Sequence, residues 1–233
     1  MKMAKHILAA SLLAVVGGQA MAADSVDVKV IGTIVPAACT PTLDGGAVVD
    51  YGTIKASTLA ADDFTVLPVK SIPFSITCDA PAKASFHGID AQSDSVVKPI
   101  GKQFSNPTKT VISASTSMSG LGLTDENAKI GAYTMWMAPG SVSLDGSTDA
   151  VDSLYSNSVP TQATVWSKAD TNGAVIGTNK YYTWAKAGEL VPVAFTTMKG
   201  ELSVQAAINK ASELDLTKAV HLNGQTTLEI YYL

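Results

Sequence analysis

The chain has 233 residues, of which 16 are basic, all of them Lys, and 20 are acidic. Two of the lysines fall within the first 22 residues, so the remainder carries 14 against 20, a balance of −6 that excludes the basic face of a nucleic-acid binder. Few aromatic and charged residues, with abundant Thr, Ser, Val, Ala and Gly, predict an all-β protein, and the length fits one large domain over residues 23–233.

Lys2, Lys5 and His6 precede an apolar run from Ile7 to Val16, then Gly17, Gly18 and Gln19, then Ala20-Met21-Ala22 with small residues where a signal peptidase needs them. This order predicts a secretory signal peptide over residues 1–22. The apolar run is shorter than the ~20 residues that span a bilayer, so a membrane anchor is not expected. Export to an oxidising compartment is the expectation.

From Ser25, Val26, Val28 and Val30 alternate with Asp27 and Lys29, which reads as an amphipathic strand. Thr33-Ile34-Val35 continues it after Gly32. Asp44-Gly45-Gly46 reads as a turn, followed by strand candidates at Val48–Ile54 and Val66–Cys78, where Ile72, Phe74 and Ile76 alternate with polar residues. Further strand candidates lie at Lys109–Ser117 and Gly131–Met137. Residues 139–160, rich in Gly, Ser and Asp, read as a long loop or an insertion. Ala163–Ser167 and Ala174–Ile176 flank Asn172-Gly173, a hairpin signal. Lys180–Trp184 and Leu190–Phe195 read as strands, and Ala206–Ala211 as a short helix candidate. At the end, Val220, Leu222, Thr226, Leu228, Ile230 and Tyr232 share one face of a period-two pattern, with His221, Glu229 and Tyr231 on the other.

Cys39 and Cys78 are the two cysteines, and export places them where a pair forms a structural disulfide. Two cysteines cannot complete a four-ligand zinc site, and no Cys-x-x-Cys redox motif occurs. Many short strands, one bridge and no sustained helical periodicity predict an immunoglobulin-like β-sandwich with an insertion-rich middle at about residues 90–190.

The run Val30-Ile31-Gly32-Thr33-Ile34-Val35-Pro36-Ala37-Ala38-Cys39 resembles the first strand of type 1-like pilins. Asp50-Tyr51-Gly52-Thr53-Ile54 resembles the short segment that follows it there, and Ile72-Pro73-Phe74-Ser75-Ile76-Thr77-Cys78-Asp79 the strand that carries the second cysteine. Tyr232 is penultimate, as an aromatic commonly is in that family of chaperone–usher fimbrial subunits. The resemblance implies a sandwich that lacks its last strand and is completed by β-strand addition. It implies partners as well: a periplasmic fimbrial chaperone, an outer-membrane usher and neighbouring pilus subunits, with passage from the periplasm to the fimbrium at the cell surface. Residues 24–31, with Val26, Val28 and Val30 as plugs, would be the donor. Residues 220–232, with Leu222, Leu228, Ile230 and Tyr232, would form the acceptor and chaperone edge. An ordinary first strand paired within its own fold needs the same valine pattern, and the residues leave both readings open.

Catalytic readings are weaker. His87 and His221 are isolated, and no phosphate loop, dinucleotide fingerprint or Gly-x-Ser-x-Gly occurs. Ser95-Val96-Val97-Lys98 matches a Ser-x-x-Lys pattern, but Pro99 follows and its companion motifs are missing. Asp62, Asp63, Asp145, Asp149 and Asp152 sit in turn-like stretches. The expectation is a fimbrial-like structural subunit with no catalytic site, metal or cofactor. The alternatives are a non-polymerising periplasmic β-sandwich and a sugar-binding adhesive subunit. In the adhesive reading, Trp136, Trp166, Trp184, Tyr181 and Tyr182 would stack on sugar rings, although core packing is the commoner role of such residues.

Overall fold

The computed structural model describes residues 26–35, 37–99, 102, 104, 118–169, 173–176 and 179–233. The expected signal peptide at 1–22, the strand candidate at Lys109–Ser117 and Asn172 of the hairpin signal lie outside them. The chain divides into two units between Val35 and Pro36.

In the first unit, residues 26–35 form no strand. Val26, Val28 and Val30 are 83–93% exposed, and Ile34 is 99% exposed. The strand expected from Ser25 and its continuation at Thr33–Val35 are therefore not formed here. Alternation prepares a segment for a sheet, but a strand needs a neighbour to take its backbone hydrogen bonds.

The second unit is all-β. In chain order its strands are β1 (Cys39–Leu43), β2 (Thr65–Val66), β3 (Lys70–Ala82), β4 (Ala84–Asp90), β5 (Ser119–Gly120), β6 (Gly131–Met137), β7 (Ser143–Leu144), β8 (Val151–Ser156), β9 (Ser167–Lys168), β10 (Ala174–Ile176), β11 (Tyr181–Lys186), β12 (Phe195–Ile208) and β13 (Thr226–Tyr232). The helical pieces among the described residues are short 3-10 turns. One antiparallel sheet runs β1-β3-β12-β6-β10, with β2 and β7 also on β12 and β5 on β6. The other runs β13-β4-β11-β8-β9.

The sheets pack face to face as a β-sandwich. Phe74 of β3 meets Phe86 of β4 at 5.8 Å between ring centroids, Phe86 stacks on Trp184 of β11 at 5.4 Å, and Trp184 meets Phe195 of β12 edge-on at 5.7 Å. These side chains are fully buried. A second, smaller core lies on the outer face of the first sheet, where Phe104 and Met118 cover Ala132, Trp136 and Ala207. The insertion after β4 thus supplies its own apolar cover, and the 202–208 stretch of β12 is buried on both faces.

The disulfide between Cys39 and Cys78 is formed and joins β1 to β3 at directly opposed positions. Cys39 is the first residue of β1, and the strand lies after it rather than before it. Val48–Ile54 forms no strand; Val49, Tyr51 and Ile54 pack half-buried against the core instead. The hairpin expected around Asn172-Gly173 is replaced by two separate pairings, β9 on β8 in one sheet and β10 on β6 in the other. Burial decides it, because Ala174 and Ile176 are buried while Ser167 and Lys168 are exposed. Residues 139–160 hold β7 and β8 rather than one long loop. Leu190–Ala194 is a loop before β12, and Ala206–Ile208 is strand, not helix.

Candidate functional site: an apolar cleft beside an unpaired strand edge

β13 is at the edge of its sheet and pairs only with β4 among the described residues. The Leu233 N–H donates to the Lys83 carbonyl at 3.0 Å, and the Ala91 N–H to the Gln225 carbonyl at 2.9 Å. Odd-numbered residues of this stretch therefore turn their backbone groups to β4. By the alternation of an antiparallel ladder, Thr226, Leu228, Ile230 and Tyr232 turn theirs to the open edge. The same even-numbered residues face inward, yet none of them is fully buried.

Beside this edge lies a cleft of about 740 Å³. Its floor is made by Leu202, Val204, Ala206 and Ile208 of β12 with Tyr133 and Met135 of β6. One wall carries Leu43, Val49, Tyr51, Ile54 and Leu59, the other Leu214, Leu216, Val220, Leu222, Thr226 and Leu228. Asp50, Lys218 and His221 supply polar groups to the lining.

The local chemistry holds the walls in place. The Tyr51 hydroxyl accepts the Ala206 N–H at 3.2 Å and donates to the Val204 carbonyl at 3.3 Å, which pins residues 48–54 across the floor strand. Burial pushes the Tyr51 and Tyr133 phenols above their ordinary value of 10.0. The Tyr133 hydroxyl meets Thr226 Oγ1 at 2.6 Å, tying the floor to the start of β13. Close by, Asp90 accepts the Gln92 N–H at 2.8 Å and the Gly120 N–H at 2.9 Å. Ser95 donates to the Gln92 carbonyl at 2.7 Å and accepts the Gly122 N–H at 2.9 Å. Its hydroxyl is buried and committed to the backbone, while Lys98 is exposed on a non-helical stretch, so the pair does not share a helical turn.

At the other end the cleft closes. Its lining stops at Leu43 on β1 and Leu228 on β13, and does not include Ile230 or Tyr232. There the Cys39 N–H donates to the Tyr232 hydroxyl at 2.7 Å, bridging the two strands.

The sequence-derived candidates are thus split. Leu222 and Leu228 line the cleft, Ile230 and Tyr232 stand at its closed end, and Val26, Val28 and Val30 are exposed in the first unit. Trp136, Trp184 and Tyr182 are core, Trp166 packs over Leu154 and Ala185, and Tyr181 is half-buried against His87 with 4.3 Å between ring centroids. The His87 Nδ1 meets the Lys180 carbonyl at 3.0 Å, and His221 is exposed. Asp145 accepts the Thr196 and Thr197 N–H groups at the start of β12, and Asp152 the Gly188 N–H of a turn. Among the described residues, no three His, Cys, Asp or Glu side chains gather as a metal site requires, and no helix is long and apolar enough to cross a membrane. Sequence reasoning missed the floor of the cleft. The signal was the alternation of Leu202, Val204 and Ala206 with Ser203 and Gln205, obscured because the run from Ala206 to Ala211 reads equally as a short helix.

The sequence of residues 28–134 matches a family model described as protein of unknown function (DUF1120). The uncharacterized protein YhcF of Escherichia coli strain K12 is 28% identical over 238 residues, an alignment covering 98% of each chain. Protein GltF of the same strain is 29% identical over 240 residues, covering 95% of this chain and 94% of its own. The family match takes in β1, Tyr51 and the first four residues of β6, whereas β12 and β13 lie beyond it.

Proposed function

We propose that this protein is a non-catalytic, fimbrial-type subunit of the periplasm and cell surface, completed by an extended segment that adds to β13 and fills the cleft. The carrying observation is the pairing of an apolar cleft with a strand edge whose outward N–H and C=O groups have no strand partner. An unpaired edge beside exposed apolar surface is an aggregation hazard, and an added strand removes both liabilities at once. Alternating apolar side chains would enter the cleft while the backbone pairs with Thr226 and Leu228. The chain itself offers such a segment, since Val26, Val28 and Val30 are exposed at period-two spacing. The disulfide accords with an oxidising, exported compartment. Before assembly a periplasmic chaperone would hold the edge, and at the usher a neighbouring subunit's segment would replace it.

The test is coexpression with and without a periplasmic fimbrial chaperone, followed by size-exclusion chromatography of the full chain and of a variant lacking residues 23–32. The expected result is a soluble one-to-one complex with the chaperone, and self-association of the full chain that the deletion abolishes. A stable monomer alone, unchanged by the deletion and indifferent to the chaperone, would end this reading.

A further inference from the structure

The two strands that flank the cleft do not offer the same edge. Ala38 bonds to β3 through Asp79, so the next residue, Cys39, turns its N–H away from β3, as Pro41 and Leu43 do by alternation. Pro41 has no N–H, and that of Cys39 is taken by Tyr232. β1 is therefore guarded against strand pairing, and β13 is open to it.

The guard also sits at a defined place. Cys39 is fixed to β3 by its disulfide and cannot swing away. Tyr232 is 47% exposed, with its ring at the last position of β13, so it is the movable half of the contact. Toward Leu43 and Thr226 the walls separate and the cleft opens; toward Cys39 and Tyr232 they close.

We propose that the Tyr232–Cys39 hydrogen bond is a stop that sets how far an added strand pairs along β13. The strand engages Thr226 and Leu228 at the open end and halts before Ile230 while the contact stands. Releasing the Tyr232 hydroxyl frees the Cys39 N–H for an incoming carbonyl and lets pairing run to the end of the strand. Tyr232 is thus a positioning residue for register, and the inference rests on the strand-addition reading above.

The experiment is amide hydrogen exchange on the full chain, with and without saturating synthetic peptide of residues 23–35, for the wild type, Tyr232→Phe and the control Tyr231→Phe. Tyr231 is a fair control because its hydroxyl bonds Glu229, away from Cys39. In the wild type and the control, peptide is expected to slow exchange at Thr226 and Leu228 by about tenfold or more and to leave Ile230 and Tyr232 within about twofold. In Tyr232→Phe the slowing extends to Ile230 and to residue 232. Equal protection of all four amides in the wild type, or an unchanged pattern in Tyr232→Phe, overturns the stop while leaving strand addition intact. Absence of saturable peptide binding overturns strand addition and the stop with it.

Discussion

Gly120 shows how little room the Gln92–Ser95 turn leaves beside β5. A Cβ there would lie 2.1 Å from Ser95 Oγ and 2.2 Å from the Gln92 carbonyl oxygen, and the second of these is backbone. Gly120→Ala must therefore displace the turn that positions Ser95 and the N–H that Asp90 accepts, and overpacking of this kind costs about 1–3 kcal/mol. Urea denaturation should show a lower midpoint with an unchanged slope. A midpoint equal to the wild type would mean that the turn yields freely. Asp145 illustrates a different control. Hydrogen bonds from the Thr196 hydroxyl and from the Thr197 and Thr196 N–H groups hold its carboxyl below the ordinary value of 3.8. A folded value below the unfolded one means that its contribution is complete above about pH 4 and fades as pH falls through the lowered value. Asp145→Asn should therefore differ most from the wild type at neutral pH, and the difference should shrink in acid. Paired thermal melts at pH 7 and pH 3 read it directly, and a gap that widens in acid would refute the assignment.

The elements that the residues made legible carry either one buried and one wet face or a dense run of large apolar side chains. β13 alternates cleanly because it is an edge strand, and β3 and β6 were readable from Ile72, Phe74 and Ile76 and from the aromatic run at Tyr133–Trp136. β12 was not: Ser203 and Gln205 keep the polar half of its pattern although both are buried, and the Ala206-Ala207-Ile208 run at its end reads equally as a helical turn. β4 is buried at all but one of its positions, so its polar Ser85, His87 and Asp90 mark no wet face. Residues 26–35 erred in the opposite direction: their alternation is plain, but no strand forms without a neighbour. The apolar residues of the C-terminal wall were visible in Leu222 and Leu228, whereas the floor depended on β12 and stayed hidden. The bridge between β1 and β3 is the covalent element of this arrangement, closing a loop with a sequence separation of 39. In the chain-entropy model such a loop contributes about 4 kcal/mol. Replacing both cysteines with Ser should lower the unfolding free energy by up to that amount. It should also raise hydrogen exchange at Thr40 and Thr42, since among the described residues β1 pairs only with β3. Exchange in β1 that stays at the wild-type level would show that backbone pairing alone holds the strand.

For the molecule as a whole, a cleft of about 740 Å³ beside an open edge means that stability depends on what fills it. A segment that binds only the folded state stabilises it by RT ln(1 + [L]/Kd), about 2.7 kcal/mol at a hundredfold excess over Kd. For a domain of this size one kcal/mol moves Tm by about 2–4 °C, so saturating peptide of residues 23–35 should raise Tm by about 5–10 °C. Peptides with Val26, Val28 and Val30 all changed to Asp should give no shift, because a carboxylate entering the cleft loses its hydration among Leu, Val and Ile side chains without a partner. The reciprocal change is Leu228→Lys. Leu228 is half-buried, and the long Lys stem can carry its charge to the rim, so the fold should survive with a small loss of stability while the peptide-induced shift disappears. A shift of equal size with the Asp peptide, or one that survives in Leu228→Lys, would place binding elsewhere on the surface and remove the cleft from the function.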